Sequence, residues 1–280
     1  MILAVASGKG GTGKTLVATN MASVAGEVQL VDCDAEEPNV HLFIKPIETE
    51  GVIPVTLSLP QIDEGKCTHC GRCAEACEYH ALMVLEQQVL LFDELCHGCG
   101  ACSFVCPEGA ISERPKEIGR VEVGKRGDLR LIQGVLHVGE PMPSPVIRKA
   151  KALIDPSVMA ILDAPPGTSC PVVETVKGAD FCCLVTEPTP FGLYDLTLAV
   201  GMVKKLGIKM GVVLNRADVG DQGVREYLQG EEIPLLAEIP FDPRISEVCS
   251  RGGLVVEELP HYRGLFSSIL LKVKELSSGG

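Results

Sequence analysis

The chain has 280 residues, a length that fits one large α/β domain or two smaller ones. Its apolar fraction of 46% suits a packed core, and no apolar run reaches the roughly 18 residues of a membrane-spanning helix. A formal net charge of −12 excludes phosphate-backbone binding as the main task, because nucleic acid requires a basic face.

Met1-Ile2-Leu3-Ala4-Val5 reads as the start of a core strand rather than a leader, so the expected location is the cytoplasm. The opening continues as strand (2–6), glycine-rich loop, helix (14–25) and strand (28–32). A strand-like VIPVTLSL (52–59) follows, and then the pattern stops. Residues 60–114 are broken into short, internally duplicated pieces punctuated by cysteine. The α/β rhythm resumes with LRLIQGVLHV (129–138) and a helix near 145–154, announced by Ser144-Pro145. Strands near 158–163, 181–186, 210–215 and 233–239 alternate with helical segments. LFSSILLKVKEL (265–276) reads as an amphipathic helix packed on the core; with only two lysines beside it, no stable membrane association is expected. The pattern predicts an α/β fold, a mostly parallel sheet covered by helices on both faces. The expected organisation is one discontinuous domain, 1–59 plus 115–280, carrying an inserted module at 60–114.

Gly8-Lys9-Gly10-Gly11-Thr12-Gly13-Lys14-Thr15 fits G-x-x-x-x-G-K-[ST] between a strand and a helix. Glycines let the backbone wrap a phosphate chain with its N–H groups pointing inward. Lys14 would neutralise the β- and γ-phosphates, and Thr15 would offer a hydroxyl to Mg²⁺. Lys9 is a second lysine where such a loop needs one. With it, KGGTGKT resembles the deviant Walker A motif of the MinD/ParA/Mrp and nitrogenase-iron-protein group of P-loop ATPases. The resemblance implies that Lys9 reaches across a nucleotide-sandwiched homodimer to the partner's phosphates, making closure depend on nucleotide state.

Two further segments match the same group. LVDCDAEEPNVH (30–41) ends a strand with Asp32 and Asp34 and resembles its switch I region. By that resemblance Asp34 positions or activates the attacking water. ILDAPPGTSCP (161–171) resembles the Walker B and switch II segment. There Asp163 would hold Mg²⁺ through water, and the Gly167 N–H would sense the γ-phosphate. Asn215 in VVLNRAD (212–218) and Pro240 and Asp242 in EIPFDP (238–243) resemble the group's base-contacting loops. NRAD also resembles the guanine-reading N-K-x-D pattern, with Arg216 in place of lysine and Asp218 as acceptor. ATP is the favoured nucleotide on family grounds.

Thirteen cysteines in a chain read as cytoplasmic suggest metal ligands or thiols rather than disulfides. Eight of them read Cys67-x2-Cys70-x2-Cys73-x3-Cys77 and Cys96-x2-Cys99-x2-Cys102-x3-Cys106-Pro107. This spacing resembles the bacterial-type ferredoxin pattern, in which the fourth cysteine of each run serves the other cluster. That implies one [4Fe–4S] cluster on Cys67, Cys70, Cys73 and Cys106, and another on Cys96, Cys99, Cys102 and Cys77. Zinc is the alternative, although it takes two C-x2-C pairs rather than a run of four. Glu78-Tyr79 follows Cys77 where the second copy has Pro107, which predicts a wetter cluster there. His69 and His97 read as solvated loop histidines. The insert carries nine acidic residues against three basic ones, half of the net charge, which would steer basic partners toward it. Of the remaining cysteines, Cys33, Cys182 and Cys183 read as packing, whereas Cys170 sits in the switch II segment as a candidate transient thiol ligand.

The resemblance covers nearly the whole chain and implies a Mg-ATP-hydrolysing homodimer whose closure moves a two-cluster module. Three functions follow from it: ATP-gated electron delivery to a redox partner, metallocluster assembly on a metalloprotein client, and ParA- or MinD-like partitioning. The acidic charge and missing basic patch weigh against the last.

Overall fold

In a computed structural model describing residues 1–278, the first apolar run forms β1 (Ile2–Ala6), followed by the glycine-rich loop and α1 (Lys14–Val24). After β2 (Val28–Asp32), a single 3₁₀ turn (Val40–Leu42) leads to the long β3 (Glu48–Ile62). The cysteine-rich segment holds α2 (Arg72–Glu75), β4 (Leu82–Val84), β5 (Val89–Leu91) and α3 (Ala101–Phe104). β6 (Ile111–Arg126) and β7 (Leu129–Leu136) return to the main body, where α4 (Ser144–Lys151), β8 (Ala160–Asp163), α5 (Cys170–Val176) and β9 (Phe181–Thr186) alternate. The chain finishes through α6 (Pro190–Lys205), β10 (Lys209–Asn215), α7 (Gly223–Gly230) and β11 (Leu235–Ile239). Three helices follow, α8 (Pro243–Ser250), α9 (Val255–Glu258) and α10 (Arg263–Ser278).

The main sheet has nine strands in the order β11-β10-β9-β1-β8-β2-β7-β6-β3. From β11 to β7 every neighbouring pair is parallel. Strands buried on both faces need apolar residues at consecutive positions, which is why β1 and β9 read as unbroken runs. Leu3, Val5, Leu30 and Ile161 pack toward α1, α8 and α10, while Ala4, Ala6, Val31 and Leu162 pack toward α4, α5, α6 and α7. Cys33 and Cys182 are buried in one of these cores and Cys183 in the other. Burial pushes the Cys183 thiol up to about 12, so it stays a neutral packing group.

The far edge departs from the parallel expectation. β6 runs antiparallel to both β7 and β3, and the β3–β6 ladder extends from Glu48↔Lys125 to Ile62↔Ile111. Val55, Leu57 and Leu59 of β3 are buried while Thr56 and Ser58 between them are exposed, the period-2 pattern of a half-buried strand. This ribbon crosses the borders drawn at 59/60 and 114/115, so the cysteine segment is carried on the ribbon's tip rather than spliced into a loop. Pro54 and Pro60 lie on the outer strand, where they blunt further edge pairing.

Within the segment the duplication extends to the backbone. Positive φ recurs at His69 and Gly98, at Gly71 and Gly100, and at His80 and Gly109, always at the offset that takes Cys67 to Cys96. The Ala81 N–H donates to Cys77 Sγ and the Ala110 N–H to Cys106 Sγ, both at 3.3 Å. The two halves are one structural unit used twice.

Candidate functional site

A cavity of about 400 Å³ opens at the carboxyl ends of β1, β2, β8, β10 and β11. That position, beside the point where strand order reverses, is where open α/β sheets hold ligands. Gly10, Gly11, Gly13, Lys14 and Thr15 form one end. Gly13 has φ +96, and a Cβ there would stand 2.5 Å from Asn215 Nδ2, so no side chain fits. The α1 N-terminus follows immediately and adds unpaired N–H groups facing the cavity.

The charged groups beneath the loop form one cluster. Thr15 Oγ1 donates to Asp163 Oδ2 at 2.6 Å, while the buried Asp163 Oδ1 has no protein partner. Burial, with Asp34 adding repulsion, pushes the Asp163 carboxyl up to about 6 against the opposing pull of Thr15 and Lys14. Burial likewise lowers Lys14, which Asp163 and Asp34 partly offset. Asp34 itself lines the cavity and is raised by burial. Asp32 is fully buried and takes N–H bonds from Asp34, Asn39 and Val40, so it fastens the loop after β2 rather than entering the cavity. An orphaned carboxylate oxygen beside a threonine hydroxyl and an ammonium is a donor set suited to a hydrated Mg²⁺ and a phosphate.

Lys9 does not line this cavity, and neither do Gly8 and Thr12. Gly8 lies against the Asp195 carbonyl in the second turn of α6. The Gly167 N–H donates to Ser7 O at 3.0 Å, so in this conformation it is not offered to a phosphate. Its φ of +93 marks the turn that brings it back onto the loop.

At the other end Asn215, Arg216, Pro240 and Asp242 all line the cavity. Asn215 Nδ2 donates to Thr12 O at 2.9 Å and its Oδ1 accepts the Arg216 N–H, so this side chain first of all ties down the phosphate loop. One further amide hydrogen and one lone pair remain for a base. Arg216 Nη1 lies 2.8 Å from Glu187 Oε1. Asp242 caps α8 and is bound by Arg244 and Tyr262, which hold its carboxyl well below the usual carboxylate range. Asp218 is outside the cavity, accepting the Phe241 N–H at 2.6 Å. Sequence reasoning missed Asn39, Phe43, Phe241, Ser246 and Cys249, which complete the walls. Asn39 Oδ1 is buried without a partner. Asn39 and Phe241 lie inside the motif-like segments 30–41 and 238–243, whereas Phe43, Ser246 and Cys249 belong to no local motif and are brought to the cavity by the fold alone.

The eight motif cysteines line two separate cavities. Cys67, Cys70, Cys73 and Cys106 surround one, and Cys77, Cys96, Cys99 and Cys102 surround the other. The second, proximal to the main body, is also walled by Ser58, Pro60 and Glu113 of the ribbon, and Cys96 packs into the main core. The first is distal, its walls drawn entirely from residues between Ile62 and Ile111. The Tyr79 ring, which follows Cys77 where the second copy has a proline, stacks on His97 at 3.5 Å and 8°, and both rings wall the proximal cavity. His97 is exposed, as expected of a loop histidine, with one ring face against Tyr79. His69 Nε2 meets Glu64 Oε2 at 3.1 Å.

Residues 3–255 match the family described as the CobQ/CobB/MinD/ParA nucleotide binding domain. The chain belongs to that family. An uncharacterized protein of Methanocaldococcus jannaschii, MJ0579, is 32% identical over 90% of each chain. A Culex quinquefasciatus cytosolic Fe–S cluster assembly factor, a NUBP2 homolog, is 32% identical over 36% of this chain and 46% of its own. Among solved structures, the cell division ATPase MinD of Pyrococcus furiosus superposes with a TM-score of 0.58 at 21% identity, covering 98% of both chains. MinD of Pyrococcus horikoshii, bound to Mg-ADP, gives 0.57 at 20% identity, covering 99% of this chain and 97% of its own. The fold of this CobQ/CobB/MinD/ParA member is therefore MinD-like, an α/β P-loop architecture with a mostly parallel sheet. Among its described residues no helix is long and apolar enough to cross a membrane.

Proposed function

We propose that this chain binds and hydrolyses Mg-ATP as a nucleotide-dependent homodimer, and couples its nucleotide state to two [4Fe–4S] clusters that deliver electrons to a partner protein. The observation that carries the reading is the sorting of eight cysteines into two cavities of four thiols each, on a chain that also carries a phosphate loop. Among the described residues, the one set of three or more metal-ligand atoms within 4.8 Å of one another is Glu64, Cys67 and His69. Tetrahedral zinc would draw its sulfurs to about 3.8 Å apart, given Zn–S bonds of about 2.3 Å. Among the described residues neither four-cysteine set has three sulfurs all within 4.8 Å of one another, a spread that favours a cluster over a single zinc ion. N–H bonds to Cys67, Cys77 and Cys106 sulfurs suit thiolates that share charge with a cluster. Clusters so held supply one-electron chemistry.

At the nucleotide end, Lys14 and the loop N–H groups bind phosphates, Thr15 and Asp163 hold Mg²⁺, and Asp34 takes a proton from the attacking water. Asp218 lies outside the cavity, so no carboxylate at that position is offered to a guanine amine, which supports adenine. Lys9 does not line its own cavity, which supports a role toward the phosphates of a second copy.

Two measurements test this reading. Anaerobically prepared protein should carry about eight iron and eight sulfide per chain; zinc in their place overturns the cluster assignment. Lys9→Ala should keep ATP binding yet stay monomeric by sedimentation when ATP and Mg²⁺ are added. An unchanged ATP-dependent dimer refutes the role given to Lys9. The second reading, metallocluster assembly, is favoured by the similarity to the NUBP2-type assembly factor. Transfer of iron and sulfide to an apo-ferredoxin, leaving this chain depleted, would select it.

A further inference from the structure

The two cysteine sites differ in what lies behind them. A cleft of about 760 Å³ separates the cysteine-bearing segment from the main body. One wall is Tyr79 and His97; the other includes Ser169, Cys170 and Pro171 at the start of α5, with Glu36 of the loop after β2. The Tyr79–His97 stack is thus a partition, with the proximal cysteine cavity on one side and the segment that follows Gly167 on the other. No residue that walls the distal cavity walls the cleft.

Gly167 is hydrogen-bonded to Ser7 immediately before the phosphate loop, and Cys170 lies one turn of chain further on. A γ-phosphate that takes the Gly167 N–H must release it from Ser7. The displaced Ser169–Pro171 segment then moves against the cleft's opposite wall. The two exposed rings and that segment face each other across open space, so a displacement of one wall changes the width and solvation of the cleft beside the proximal cavity.

Resting on the reading of a nucleotide-coupled iron–sulfur protein, we infer that the proximal site alone responds to nucleotide, with Tyr79 and His97 as the positioning residues that transmit the change across the cleft. The rings touch neither nucleotide nor phosphate; they act by fixing the loop that presents Cys96 and Cys99. A change in packing or solvation there alters the environment of the proximal sulfurs, which is one of the terms that sets a cluster's potential. The distal site, on the far side of the segment, serves as an internal control.

The test is a redox titration of the reconstituted full chain, followed by electron paramagnetic resonance, with Mg-ADP and with Mg and a non-hydrolysable ATP analogue. One of two cluster signals should change its reduction equilibrium at least tenfold between the two nucleotides, about 59 mV for a one-electron couple. Cys99→Ser should remove the responding signal and Cys70→Ser the silent one. Tyr79→Ala and His97→Ala should abolish the response while ATP hydrolysis continues, and Tyr79→Phe, which keeps the stack, should retain it. As a second readout, iodoacetamide labelling of the exposed Cys170, mapped by mass spectrometry, should change several-fold between the same two nucleotides in the wild-type chain. A response shared equally by both clusters, confined to the distal one, or intact in Tyr79→Ala overturns the inference and leaves the general coupling standing. Constant Cys170 labelling likewise overturns it. If neither cluster responds in a chain that still hydrolyses ATP, the inference and the proposed coupling fall together.

Discussion

Asp163 illustrates how a site built for a cation costs stability when none is bound. Its carboxyl is pushed up to about 6 by burial and by Asp34. Between the unfolded value near 3.8 and about 6, the folded chain therefore holds a proton that the unfolded chain has released. The folded state is favoured at the acid end of that window and loses the advantage as pH rises through about 6. In EDTA, Asp163→Asn should flatten this part of the pH–stability curve and raise Tm by several degrees at pH 7, while abolishing Mg-dependent hydrolysis. Calorimetry from pH 4 to pH 7 decides it, and a wild-type curve that rises across that range contradicts the sign. Asn39 offers a second residue-level expectation. Its Oδ1 is buried without a partner, and the residue lines the cavity beside Phe43, Ser246 and Cys249, which makes it a candidate acceptor for a donor on the nucleotide. One hydrogen bond is worth about 0.5–1.5 kcal/mol, so Asn39→Ala should weaken Mg-ATP binding roughly 2- to 12-fold by calorimetric titration. An unchanged affinity would return Asn39 to a purely structural role.

Among the elements, α5 depends on a side chain from another helix. Lys151 of α4 donates to the carbonyls of Glu174, Thr175 and Lys177 at 2.6, 2.8 and 2.7 Å, closing the helix end that presents Cys170 at its other terminus. Terminal carbonyls without partners are costly, and a cation there also suits the helix dipole. Lys151→Met should destabilise the chain by about 2 kcal/mol, lowering Tm by roughly 4–8 °C. A shift below 1 °C would mean water replaces the ammonium without loss. Contacts of this length mark where sequence reading stops. The octet around Lys14, the strands on either side of it and the cysteine spacing are local patterns, and each lies where its periodicity or motif put it. Val55-Thr56-Leu57-Ser58-Leu59 announced a strand with one buried face but not its partner, because pairing with β6 is set by a ladder closed from the far end of the segment. The Tyr79–His97 stack was illegible for the same reason: it joins the two duplicated halves through turns whose geometry only the folded backbone fixes. Asn215 shows a subtler gap. Its place at a strand end was readable, yet the bond to Thr12 that spends half of its amide was not.

Across the whole molecule, charge and architecture point outward together. The ribbon of β3 and β6 carries at its tip a segment holding half of the net charge of −12, on which Glu64, Glu75, Glu86 and Glu108 are exposed, the last lining the distal cysteine cavity. Lys66 is paired with Asp63 in the same region, which leaves few free cations to offset the acids. Fields of this kind act mainly on encounter rate and are screened over a Debye length of about 10 Å at 0.1 M salt. A basic electron acceptor should therefore meet the reduced protein fastest at low ionic strength. Using cytochrome c as a basic probe, the second-order reduction rate should fall roughly tenfold or more between 20 and 500 mM NaCl. Replacing Glu64, Glu75 and Glu86 by glutamine should lower the low-salt rate several-fold and flatten the salt dependence, with ATP hydrolysis unchanged because none of the three lies near the nucleotide cavity. A rate indifferent to salt would place electron exit elsewhere on the molecule, and would turn the acidic tip into an ordinary solvated surface.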